Sequence, residues 1–373
     1  MDTITHGLAG YAVAKTGLAK DTGRWGVIAG VAASLFPDID GLFASFYGTE
    51  FTLKYHRGLT NSIFLMVPIS LLFAWLFVKI SGKKRFQTFF LIWLVEILVH
   101  TFLDLITSFG TMILTPLSSY RFALDWVFII DLFLTGIFLI FSILIILWRS
   151  RSKILARISV ALAAAYILMC GGNHLWALSL AKNYAHEHKL RTENIAALPQ
   201  PLSPFHWANY IVTDDTIYLG LVNLIGVRER AARPDANLFG RLWSRYQPIQ
   251  ALSYIPHQRF ADSPWVRRAL NLDSVATFLW FARFPVVEYE ASFDGTHRVT
   301  FFDLRFGAVQ GRKPFLYEVI FDPDGKIVSQ GFHRDHSENG KKWSTLRKSE
   351  QRLWITASDM DLLTGHQTEY WDL

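Results

Sequence analysis

Hydrophobic residues in this chain form long unbroken runs in the first half and short alternating runs in the second. Residues 62–80, 124–148 and 154–181 are each apolar enough, and long enough, to cross a bilayer, which takes about 20 residues. A fourth run, 86–106, matches them in length but contains Glu96, His100 and Asp104. Two shorter apolar segments rich in small residues, 4–19 and 25–36, read as short spans, re-entrant helices or helices packed inside a bundle. The first is not expected to be a cleaved signal: it lacks a basic leader and His6 interrupts the run, although Ala12-Val13-Ala14 has the small-x-small form of a cleavage site.

Beyond residue 181 the pattern changes. Residues 184–195 read as a polar helix, which Pro199, Pro201 and Pro204 then break; the segment 199–207 is expected to dock on the bundle. Strand-like runs follow at 217–225, 286–293, 298–306 and 315–321, the last ending in the turn Asp322-Pro323-Asp324-Gly325. Alternation in 286–291 and 299–304 predicts half-buried antiparallel strands joined near Asp294-Gly295. The expected fold class is an α-helical membrane bundle, residues 1–181, followed by a soluble extramembrane α+β domain, mostly antiparallel β, at residues 182–373.

Charge sharpens this division. Only 18% of the 373 residues are charged and 51% are hydrophobic, against a usual charged share of about 25%. Residues 1–181 hold 14 of the 37 Lys and Arg and 9 of the 31 Asp and Glu. The remaining 23 basic and 22 acidic residues nearly cancel, so the second domain has no basic field for nucleic acid despite the net charge of +6. In the first domain the basic residues mark topology. Lys83, Lys84 and Arg85 join two apolar runs and Arg149, Arg151, Lys153 and Arg157 join two others, so both turns are expected on the cytoplasmic side. The loops 37–61 and 107–123 and everything after residue 181 then fall on the outer side. In a bacterial cell that means a multi-pass inner-membrane protein with a periplasmic carboxy-terminal domain.

Glu96, His100 and Asp104 recur every four residues, so on a helix they form one stripe that rotates by about 40° per step. Ionisable groups at membrane depth cost at least about 2.5–3.5 kcal/mol each and mark ion, proton or metal sites unless they serve as a polar packing device. On the derived topology His6, Asp38, Asp40, His56, the His100/Asp104 end of the stripe and Asp125 all collect on the outer side. Histidines and carboxylates at one depth make a ligand set for one or two divalent ions, zinc or manganese. The single cysteine, Cys170, leaves such a site to histidine and carboxylate. Asp125 and Asp131 read either as helix caps or as partners that orient a ligand histidine. Arg57 and Arg121 read either as interfacial anchors or as clamps on a substrate phosphate or carboxylate. His186, His188, His206, His257, His297, His333, His336 and His366 lack ligand spacing and are expected in ordinary packing or surface roles.

Four stretches carry a family resemblance: Met1-Asp2-Thr3-Ile4-Thr5-His6-Gly7, Leu35-Phe36-Pro37-Asp38-Ile39-Asp40, His56-Arg57-Gly58-Leu59-Thr60-Asn61-Ser62 and His100-Thr101-Phe102-Leu103-Asp104. In this order, and with the run from Thr107 to Asp131, the first 135 or so residues resemble the YdjM-type family of membrane-bound metal-dependent hydrolases, sometimes described as LexA-associated. The resemblance implies a metal held by His6, Asp38, Asp40, His56, His100 and Asp104. The family pattern has a second histidine where this chain has Asn61, whose amide oxygen is a poorer zinc ligand than imidazole.

The leading expectation is therefore an integral membrane metal-dependent hydrolase acting on an ester or phosphoester of a lipid or membrane-associated substrate. Asp40 or Glu96 would serve as the base, and Arg57, Asn61 and Arg121 would contact substrate. Two other classes remain open: a cation or proton transporter built on Glu96, His100 and Asp104, and a membrane-anchored scaffold with a structural metal.

Overall fold

The computed structural model describes residues 1–41, 47–227, 238–307 and 315–332. His333, His336 and His366 lie outside the described residues. Among the described residues seven α-helices precede the sheets: α1 (Thr3–Val13), α2 (Arg24–Leu35), α3 (Thr49–Tyr55), α4 (Ile63–Ser81), α5 (Phe86–Leu105), α6 (Leu132–Leu147) and α7 (Ser152–Glu187). Three of the described helices are long and apolar enough to cross a membrane: α4, α5 and α7 with the short turn before it. Their start signals are legible. Ser62 caps α4 by accepting from Phe64 N–H, Asp131 caps α6 by accepting from Leu134 N–H, and α4 stops at Gly82, which takes the left-handed conformation before the basic turn.

One expected span is shorter than its sequence suggested. The apolar run 124–148 becomes helical only at Leu132, because Asp125 sits at φ 56 and the backbone N–H groups of Trp126 and Val127 turn back to donate to the Ile106 carbonyl. This irregular stretch closes over the carboxyl end of α5. It matters because that end carries the ionisable stripe.

Small residues bring α1 and α2 close together against α5. A Cβ added at Gly10 would lie 2.2 Å from Ser34 Oγ and 3.0 Å from the Gly30 carbonyl oxygen. Gly10→Ala is therefore expected to cost about 1–3 kcal/mol by overpacking, read as a lower midpoint of thermal unfolding in detergent. The same push would move Ser34, which has a second role described below.

In the second half, β1 (Asn194–Pro199), β2 (His206–Val212) and β3 (Thr216–Asn223) pair antiparallel; α8 (Leu238–Ser244) follows, and the edge of β3 away from β2 pairs with the short parallel β4 (Gln247–Pro248) at Val222 and Asn223 and with antiparallel β5 (Tyr254–Gln258) at Thr216 to Gly220. After α9 (Pro264–Leu270) and α10 (Asp273–Phe281), the strands β6 (Pro285–Ala291), β7 (His297–Asp303), β8 (Tyr317–Phe321) and β9 (Ile327–Phe332) form an antiparallel meander. β6 and β7 meet at the hairpin expected near Asp294-Gly295, with Ala291 opposite His297. Val266, Val275 and Phe278 of α9 and α10 pack on Val287, Phe301 and Val319 of that sheet. The fold is thus an amino-terminal helical region with candidate spans and a carboxy-terminal α/β domain with antiparallel sheets.

The expected boundary at 181/182 falls inside α7, which runs unbroken to Glu187. Its alanines at 177, 181 and 185 are buried against Trp207, Ile211 and Val222 of the first sheet, so one helix serves both cores. The 199–207 segment is the β1–β2 turn, and it does pack on this helix: Asn173 Nδ2 donates to the Pro204 carbonyl and Phe205 joins the same apolar cluster. A second junction forms at the carboxyl end of α5. Leu53, Phe109 and Phe281 pack together there, and Arg283 makes a two-pronged pair with Asp125 at 2.7 and 2.8 Å.

Candidate metal centre

α5 enters the bundle at Phe86, just after the basic turn, and its last two turns place His100 and Asp104 at the opposite end. Both are buried, as is His6 in the first turn and a half of α1. Asp38 arrives from the short 3-10 turn Phe36–Asp38 that ends α2, where Pro37 prevents the helix from simply continuing. Three elements distant in sequence thus converge. One ligand atom from each of His6, Asp38, His100 and Asp104 lies within 4.8 Å of the other three.

The local hydrogen bonds prepare these atoms. His100 Nδ1–H donates to the Ser34 carbonyl at 2.7 Å, which fixes the tautomer and leaves the Nε2 lone pair facing Asp104 Oδ2 at 3.3 Å and Asp38 Oδ1 at 3.7 Å. Neither His100 Nε2 nor Asp104 Oδ2 has a hydrogen-bond partner among the described residues, although both are buried. Such unmet demand inside a protein calls for a ligand. The His6 ring stacks on His100 with centroids 3.7 Å apart, and His6 Nε2 lies 3.2 Å from Asp104 Oδ1. Burial raises the Asp38 carboxyl above its ordinary range while His100 opposes that rise. Two imidazoles and two carboxylates are a donor set that fits a divalent ion of the zinc or manganese kind.

Positive charge already stands on the far side of Asp104. Arg57 NH2 is 2.9 Å from Asp104 Oδ1, its NH1 donates to Thr107 Oγ1 at 2.8 Å, and the α-amino group of Met1 also contacts Asp104. Arg57 therefore holds Oδ1, which His6 Nε2 also approaches, and leaves Oδ2 to His100.

His56 and Asp40, expected among the ligands, stand outside the group of four and pair with each other. His56 Nδ1–H donates to Asp40 Oδ1 at 2.7 Å, while Asp40 Oδ2 accepts from Arg57 N–H at 3.1 Å and from Thr60 Oγ1 at 2.8 Å. Both oxygens of Asp40 thus hold donors, one of them His56. Side-chain exposure is 21% for His56 and 14% for Asp40, the same as for Asp38, against 0% for His100 and Asp104.

The remaining expected residues are placed as follows. Asn61 is buried, and its Oδ1 accepts from Thr101 Oγ1 beside His100. Glu96 lies one turn deeper than His100, against Gly30, and neither of its oxygens has a hydrogen-bond partner among the described residues. Arg57 and Arg121 do not reach the surface as substrate clamps would: both are buried, and Arg121 gives its terminal N–H groups to the carbonyls of Gly110, Leu53 and His56. Asp125 and Asp131 do not stand behind a ligand histidine. Asp125 is taken by Arg283, and Asp131 caps α6 while accepting from the Tyr166 hydroxyl at 2.8 Å. Both follow from backbone turns in the 124–131 segment that its apolar composition concealed.

Sequence reasoning missed several supporting groups. Thr60 and Thr107 lie inside or beside the recognised motifs, and their hydroxyls at fixed offsets from Arg57 and Asp104 were an available signal. The Ser34 carbonyl had none, because a backbone acceptor leaves no trace in residue type.

Comparison with known proteins finds two family matches and one relative. The YdjM inner membrane protein family matches residues 1–177, which contain all four clustered residues, and the YfhP C-terminal alpha/beta plait domain matches residues 264–342. YfhP of Bacillus subtilis (strain 168) is 22% identical over 344 residues, covering 88% of this chain and 94% of its own. No solved structure matches. The chain thus resembles the YdjM inner membrane protein family over residues 1–177 and a YfhP-type α/β domain over residues 264–342.

Proposed function

We propose that this protein is a multi-pass membrane hydrolase whose activity depends on a divalent metal held by His6, Asp38, His100 and Asp104. The carrying observation is the meeting of their ligand atoms within 4.8 Å, with His100 Nε2 and Asp104 Oδ2 buried and unpartnered. A bound ion would supply Lewis acidity and a lowered pKa for water at that position. The chain's own residues supply the rest. Arg57 and the Ser34 carbonyl fix the orientation of Asp104 and His100, and Asp40 fixes His56 with its Nε2 available to accept or return a proton.

Zinc is the favoured ion because two of the four donors are imidazoles; manganese suits the carboxylates. The substrate class is an ester or phosphoester of a lipid or membrane-associated molecule. Support comes from the residues interleaved with the His56/Asp40 pair: Ile39 is 41%, Tyr55 55% and Leu59 51% exposed, an apolar rim beside the polar dyad. Sidedness follows from charge. α5 leads from the basic turn at 83–85 to the ligand cluster, and α7 leads from the basic segment at 149–153 to the α/β domain. Cluster and domain thus share the end away from the basic turns, which the positive-inside rule assigns to the periplasm.

The test is metal analysis of protein purified in detergent without added chelator. About one equivalent of zinc or manganese is expected per chain, with loss of at least nine-tenths in His100→Ala and in His6→Ala. A metal-free wild type that also fails to take up added zinc or manganese would sink the reading.

A further inference from the structure

Between the ligand cluster and the α/β domain runs a buried stack in which two aromatic rings lie between two guanidinium groups. It begins at Asp104, whose Oδ1 meets Arg57 NH2 at 2.9 Å. The Arg57 guanidinium carbon lies 5.0 Å from the Phe109 ring centroid. Phe109 in turn packs on Phe281, the last residue of α10, at 5.2 Å, and Arg305 covers the Phe281 ring at 4.7 Å. Arg305 is itself locked: its Nε donates to Asp303 Oδ2 at 2.7 Å, its NH2 to the Phe281 carbonyl, and its NH1 reaches across the junction to the Ser108 carbonyl at 3.0 Å. No member of the stack is more than 8% exposed.

Two features show that the stack bears on Arg57. Arg57 adopts φ 62, a left-handed conformation that a side chain larger than glycine takes only where its surroundings enforce it. Its charge is also crowded. Arg121 stands beside the same two rings, 5.5 Å from each centroid, and burial together with Arg57 and Arg305 pulls its pKa down to about 9. Three cations held this close repel one another, and the faces of Phe109 and Phe281 both separate them and attract them. With those faces removed, Arg57 has no wall against which to hold Asp104.

We propose that Phe281 and Arg305 of the α/β domain are positioning residues for the metal-holding carboxylate Asp104, acting through Phe109 and Arg57. The proposal rests on the metal centre described above and assigns the α/β domain a part in it. The domain forms one wall of the centre's support, so that a metal-competent geometry exists only while the two halves are docked.

Co(II) binding to the full-length protein in detergent is the test, because the intensity of Co(II) visible bands reports coordination geometry directly. Phe281→Leu is expected to weaken Co(II) binding about 10- to 100-fold, the usual effect of losing an outer-shell support, and to change the band intensities. Phe278→Leu is the control: Phe278 is equally buried on the same helix but faces the sheet, so it should lower stability and leave the Co(II) spectrum as in wild type. Arg305→Met should repeat the Phe281 effect. Unchanged or tighter Co(II) binding in Phe281→Leu, or the same spectral change in both phenylalanine variants, overturns the positioning role while leaving the metal centre standing. A wild type that binds no Co(II), zinc or manganese overturns both.

Discussion

Asp104→Ala is expected to abolish metal retention and to lower unfolding stability by about 3–5 kcal/mol, the range for breaking a buried ion pair by removing one partner. Asp104 and Arg57 have side chains 0% and 2% exposed, so water cannot take over the arginine's charge once the carboxylate is gone. The His6 and His100 rings lose the same partner. Loss of metal and loss of fold must then be separated. Asp104→Leu combined with Arg57→Met removes both charges and leaves apolar groups of similar volume, an exchange that is often neutral or stabilising. The double variant should regain most of the stability and none of the metal, as read by thermal unfolding and elemental analysis on one preparation. If it binds metal as wild type does, Asp104 is not a ligand. If Asp104→Ala unfolds at the wild-type temperature, the buried pair is not holding the bundle.

How much of this centre could be read from residue order depended on the kind of information each feature carries. The His100/Asp104 stripe was legible because helical spacing is regular, and Asp38 was legible because Pro37 fixes where α2 must end. The convergence of His6 and Asp38 on that stripe followed from topology, since alternating spans return the chain to the same side of a membrane. Separating ligands from neighbours was out of reach at that level. His56 and Asp40 have ligand chemistry and the right depth, and only the side-chain geometry turns them toward each other at 2.7 Å. Arg57 read as either an interfacial anchor or a substrate clamp. Its left-handed backbone conformation, which has no composition signal, sends it into the core instead. The α/β domain offered alternation enough to place β6, β7 and β8. The β1–β2 hairpin was not legible as strands, because prolines at 199, 201 and 204 read as breakers, although the segment was expected to dock on the bundle.

His56→Gln is expected to keep the metal and lose about 10²- to 10⁴-fold in hydrolysis, the range that positioned proton transfer contributes. The expectation comes from the division of labour between two histidine environments. His100 is buried, is fixed through Nδ1 by a backbone carbonyl, and turns Nε2 toward two carboxylates, as a ligand must. His56 is fixed through Nδ1 by the carboxylate of Asp40 and keeps partial contact with solvent, as a group exchanging protons must. Glutamine fills most of the imidazole's space and can still donate to Asp40, so the local structure should hold. Asp40→Asn should act in the same direction by weakening control of the tautomer, with metal again retained. Bis(p-nitrophenyl) phosphate in detergent micelles, with metal content measured on the same samples, decides the matter. Loss of metal in His56→Gln would return His56 to the ligand set. Metal retained with wild-type turnover would remove the His56/Asp40 pair from the chemistry and leave the proton with another acceptor.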